Sequence, residues 1–77
     1  ATVTVVVPDE PGALAKLLAD AATGGVNVED IRVDHSPGLP VGLVDLDVAP
    51  GRGAELAAAL VERGWRADSE EPPAGEP

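Results

Sequence analysis

A chain of 77 residues is at most one small domain, and without cysteine it has neither a disulfide nor a thiolate metal site to steady it. Fourteen acidic against five basic residues give a net charge of −9, the wrong sign for binding nucleic acid, and no apolar run approaches the roughly 20 residues that span a bilayer. What remains is association with another copy or with a larger parent chain; a start at Ala1 rather than Met, with no signal-peptide pattern, agrees with a cytoplasmic piece of something longer.

Thr2 to Val7 is β-branched throughout and reads as a strand, with Val3, Val5 and Val7 on one face and Thr2, Thr4 and Val6 on the other. From Ala13 the spacing becomes helical: Leu14, Leu17, Leu18 and Ala21 share a face, and Lys16 and Asp20 form an i,i+4 pair opposite. Pro11 suits a first helical turn, Asp9 or Glu10 suits its positive end, and Gly24-Gly25 stops the helix. A second strand is predicted from Val26 to His35, and a third from Val41 to Ala49, joined by a turn over residues 36–40. Glu55 to Arg63 is helical, Gly64 ends it, and Trp65 to Asp68 is long enough for a last strand. Residues 69–77 hold three prolines and three glutamates with no apolar period, and are expected to be a disordered tail.

The order β-α-β-β-α-β predicts a ferredoxin-like α+β fold over residues 1–68: a four-stranded antiparallel sheet with two helices on one face. The alternation turns Val3, Val5, Val7, Ile31, Val33, Val44, Leu46 and Val48 toward the helices. Thr2, Thr4, Arg32, Asp34, Asp45 and Asp47 then lie on an open, polar face. That face has no stacking aromatics, which excludes an RNA-recognition module; the first loop has no Cys pair for metal transfer and no Arg for an anion cradle. The aspartates of the open face suit a solvated surface with Arg32 and Arg66 as cross-strand partners better than a cation site. Trp65 is expected to pack as a core or interface anchor, and His35 to be a surface residue beside the turn or a pH-sensing one.

The first loop, residues 7–14 (VPDEPGAL), carries the chemistry. Gly12 permits a sharp turn or a close approach of backbone, and free N–H groups at the helix start suit a carboxylate. Asp9 is an acceptor for an ammonium group, and Asn27 both donates and accepts. Together they fit a free amino acid. Read separately, Pro11-Gly12 is an ordinary strand-to-helix turn, Asp9 a helix cap and Asn27 a turn residue. No base-activated nucleophile or acid/base pair is present, so the domain is expected to be non-catalytic, with no metal and no cofactor of its own.

Asp9-x-Pro11-Gly12-x-Leu14, followed by Gly25-Val26-Asn27-Val28, resembles the ACT domain, the amino-acid-binding regulatory module of amino-acid metabolism. The stretch from Asn27 to Gly38, with Pro40-Val41-Gly42-Leu43-Val44, is similar to the C-terminal ACT domain of actinobacterial prephenate dehydrogenases. The resemblance covers residues 1–68 and implies a homodimer with an aromatic amino acid, tyrosine or phenylalanine, bound at the shared interface. It further implies a parent enzyme of tyrosine biosynthesis that oxidatively decarboxylates prephenate with NAD(P). Asp9, Glu10, Pro11, Gly12, Ala13, Leu14, Asn27 and Val28 match the effector-binding positions. Val7 departs from members that carry a polar or histidine side chain there, which leaves a dimerisation module without a ligand as the other reading. A free-standing regulator with no enzyme attached is a third.

Overall fold

The computed structural model describes residues 1–35, 38 and 40–70, with the His35 side chain left out. The chain runs β1 (Thr2–Pro8), α1 (Ala13–Thr23), β2 (Val28–His35), β3 (Val41–Val48), α2 (Gly53–Glu62) and β4 (Arg66–Ser69). The strands form one antiparallel sheet in the order β2-β3-β1-β4, the ferredoxin-like arrangement expected from the alternation of periods. Val3, Val5 and Val7 of β1 and Val44, Leu46 and Val48 of β3 point to the helical side. There they pack with Leu17 and Ala21 of α1 and Leu56 and Leu60 of α2. Among the described residues no helix is long and apolar enough to cross a membrane.

The open face is held by side chains of residues expected on it. Thr2 and Thr4 donate to Asp47 and Asp45 at 2.8 and 2.7 Å. Arg32 reaches Asp47 at 3.1 Å and Asp45 at 3.9 Å. Arg66, expected to act in the same way, makes no ion pair with any described residue.

Several boundaries differ from expectation by one or two residues, and three of them have a clear local reason. Helix α1 begins at Ala13, so Pro11 stands before its cap; the cap is Gly12, at φ +82°. An added Cβ at Gly12 meets nothing within 4 Å, so glycine is needed there for backbone conformation rather than for space. Gly12→Ala is expected to cost about 1–2 kcal/mol, the left-handed penalty of an L residue, measured from the denaturant midpoint of Trp65 emission. Strand β2 begins at Val28, and a bulge sets both Val28 and Glu29 against Val48, which turns Val28 toward the core. At the other end, Ser69 belongs to β4, and Glu70 pairs with Thr2 through its N–H (3.1 Å) and its carboxylate (2.9 Å). Pairing with β1 therefore continues two residues past Asp68; residues 71–77 lie outside the described structure.

Trp65 packs against the core as expected, and its indole Nε1 donates to Asp20 at 2.8 Å. Lys16 and Arg63 reach the same carboxylate at 3.2 and 3.5 Å, so one acid ties α1 to the α2–β4 connection. The Trp65 bond first, then Lys16 and Arg63, hold the Asp20 carboxyl below its ordinary range against an opposing effect of burial. The Thr2 hydroxyl, with Arg32, does the same for Asp47. Because both are lowered in the fold, the stability they contribute is present above about pH 4 and is lost as pH falls through the ordinary carboxylate range toward the lowered values. The urea midpoint is expected to fall on acidification below pH 4, and Asp20→Asn to flatten that fall.

Candidate functional site

The loop between β1 and α1 is fixed by its backbone. Asp9 N–H donates across to Pro40 C=O at 2.8 Å, Glu10 N–H turns back to Pro8 C=O at 2.9 Å, and Ala13 N–H reaches Glu10 C=O at 3.2 Å. Gly12 C=O accepts the Lys16 N–H at 2.9 Å and so opens the helix. No side chain caps α1 and its first turn holds no acid, so Asp9 is not the helix cap. The N–H groups of Leu14 and Ala15 have no partner among the described residues. They carry the partial positive charge of the helix end, open to a carboxylate.

Beneath the loop is a recess of about 120 Å³. Val7, Val33 and Val44 give it an apolar floor beside Gly42, Leu14 walls it, and the exposed residues Asp9 and Glu10 complete its lining. Val7 is buried, so the position that departs from the expected polar residue is a packed part of this floor. Apolar surface and two exposed acids in the recess, with an uncapped helix start that reaches it at Leu14, match the three parts of a free amino acid: side chain, carboxylate and ammonium.

Asn27 and Val28 lie elsewhere. With Leu18, Ala22 and Val26 they line an open concavity of about 450 Å³ beyond the other end of α1. An 11-residue helix is roughly 16 Å long, so no single small molecule touches Asp9 and Asn27 of one copy. The sequence groups the two halves; the fold sets them at opposite ends of α1.

Ile31 and Val33 face the helical side as their alternation predicts, but the helices do not cover them. They lie opposite Leu46 and Val44, yet remain 39% and 45% exposed. Helix α1 packs on β1, and α2 on β1 and β4, so the edge strand β2 has little cover. Leu14 is also exposed, at 38%, and with Ile31 and Val33 it makes an apolar strip beside the recess. The signal available in the sequence was that β2 carries its valine and isoleucine at a sheet edge, where alternation fixes a face but not a cover.

No known family's sequence profile matches the chain. A probable prephenate dehydrogenase of Streptomyces niveus is 36% identical over 69 residues, which is 90% of this chain and 19% of that protein. The chain thus spans about a fifth of that relative's length. Among solved structures, it is similar to the ACT domain of prephenate dehydrogenase from Bacillus anthracis (TM-score 0.76, 17% identity, 88% of this chain and 100% of that one). It is also similar to the ligand-free regulatory subunit of aspartate kinase from Thermus thermophilus (TM-score 0.72, 21% identity, 91% and 49%). A protein of Bacteroides thetaiotaomicron matches at TM-score 0.72 and 24% identity, over 88% of this chain and 44% of that one.

Proposed function

We propose that this chain, which has the fold of an ACT domain and resembles the one in prephenate dehydrogenase, is a regulatory domain that senses a free amino acid. The observation that carries the reading is the recess under the 9–14 loop, with its apolar floor, its two exposed acids and the uncapped helix start that reaches it at Leu14. At about 120 Å³ it is too small to enclose an aromatic amino acid by itself, so a second copy supplies the missing wall. Antiparallel pairing of β2 with β2 of that copy brings the start of its β2 alongside the end of this one, on the side of Val33 in the recess floor. In this reading Asn27 of the second copy, next to the start of its β2, comes toward the mouth of the recess. The pairing also covers the apolar strip of Leu14, Ile31 and Val33.

In this reading the ligand is an aromatic amino acid, tyrosine first. Its ammonium lies at Asp9 or Glu10, and its carboxylate at the Leu14 and Ala15 N–H groups. The parent is a cytoplasmic, nicotinamide-dependent prephenate dehydrogenase, and the ligand regulates it by binding two states of the dimer unequally. The small recess and the buried Val7 favour a second reading, a dimerisation module without a ligand. A thermal-shift screen with the twenty amino acids separates the two. Ligand at 100 times its Kd adds about 2.7 kcal/mol to the folded state. Tyrosine or phenylalanine is expected to raise the midpoint, and Asp9→Ala or Asn27→Ala to remove the response. No shift with any amino acid leaves the dimerisation module.

A further inference from the structure

Of the five basic side chains in this acidic chain, three converge on one place. Strand β4 starts opposite Val6, so Val7 and Pro8 at the end of β1 have no β4 partner, and a notch is left at that corner of the sheet. The notch is an open concavity of about 390 Å³, lined by Val6, Pro8 and Val41, by Trp65, and by Lys16, Arg63 and Arg66. Pro8 has no N–H to offer an added strand, so the notch recognises through side chains rather than by extending the sheet.

The charges in the notch do not cancel. Asp20 alone answers Lys16 and Arg63 and is also held by Trp65, while Arg66 is exposed and makes no ion pair with a described residue. The other two cations are matched where they stand, Arg32 by Asp45 and Asp47 and Arg52 by Glu55. The bond to Asp20 fixes the indole, and Lys16 Nζ lies 5.2 Å from the ring centroid. A rigid aromatic wall, an apolar floor and excess positive charge therefore stand within one notch of a chain that is negative overall. Tying α1 to the α2–β4 connection accounts for Lys16, Arg63 and Asp20. It does not account for Arg66 or for the bare floor.

We propose that this notch is a second small-molecule site, separate from the recess under the 9–14 loop, and that it binds an organic anion with a flat apolar body, by class an aromatic carboxylate. The carboxylate is taken by the guanidinium groups of Arg66 and Arg63, whose planar forks suit it. The ring lies over Val6 and Pro8 against Trp65. The two recesses share Pro8 in their linings.

Trp65 is the only tryptophan and there is no tyrosine, so its emission reports the notch directly. Benzoate titrated into the 77-residue chain is expected to change that emission saturably and to shift the Trp65 Nε1–H and Arg66 amide resonances. Arg66→Gln is expected to weaken the response at least ten-fold with the rest of the amide spectrum in place. Asp9→Ala and Asn27→Ala are expected to leave it unchanged, whatever they do to amino-acid binding. An unsaturable change, an equal response to benzylamine, an unchanged affinity in Arg66→Gln, or loss of the response in Asp9→Ala overturns the proposal. Inorganic phosphate binding as tightly as benzoate overturns the need for a ring.

Discussion

Leu46→Ala is expected to remove about 3 kcal/mol of folding stability, within the 2–5 kcal/mol span of buried leucine truncations. Leu46 is fully buried in β3, between Val3 of β1 and Ile31 of β2 along the ladder, and faces the core below the helices. Its largest buried companions are Leu17, Leu56 and Leu60, with valines and one alanine filling the rest. The core holds no methionine or phenylalanine to shift into the space, so the cavity stays open and the cost stays high. At 0.05–0.15 kcal/mol per residue, a chain of this length has about 4–12 kcal/mol in all, and a small domain sits toward the lower end. One truncation therefore removes a large fraction of it. Urea denaturation followed by Trp65 emission measures the loss. Val61→Ala is the control: Val61 is 54% exposed, and its truncation is expected to change stability by no more than about 0.5 kcal/mol.

The same leucines show why the fold was legible and the site only partly so. Period-2 valines in β1 and β3 and period-3.6 leucines in α1 and α2 each report a face locally, and the faces agree on one core. Alternation also puts Thr2, Thr4, Arg32, Asp45 and Asp47 on one face, where the structure pairs them. It could not say that β2 would be left bare, because cover depends on where helices cross and not on the strand's own pattern. Ile31 and Val33 therefore face the helical side, as alternation predicts, and yet stay exposed. The loop motif located the β1–α1 recess, but its distance from Asn27 is a property of α1's length and path. The notch at Trp65 had no sequence signal. It exists because β4 stops opposite Val6, and Arg66 is unmatched only once the register is known.

Val33→Asp is expected to turn a dimer into a monomer and to abolish the thermal response to the amino acid, with the monomer still folded. Val33 is not in the closed core and is already 45% exposed in one copy, so a carboxylate there stays hydrated in the monomer. Between the two β2 edges of the proposed dimer it loses that water, and two-fold symmetry makes the loss twice over. Burying an unpaired carboxylate costs several kcal/mol, and a micromolar dimer is held by only about 8 kcal/mol. Two such costs push dissociation beyond the concentrations used in sizing experiments. Leu43→Asp is the matched control: Leu43 is 43% exposed on the open face of β3, so the same charge at similar exposure leaves the β2 edge intact. A dimer that survives Val33→Asp is not built on β2. A Val33→Asp monomer that keeps its full response to the amino acid binds it without Asn27 of a second copy. The recess under Leu14 would then have to expand on its own to admit a ring, and the 120 Å³ beside Val7 would describe a closed state of the site rather than half of it.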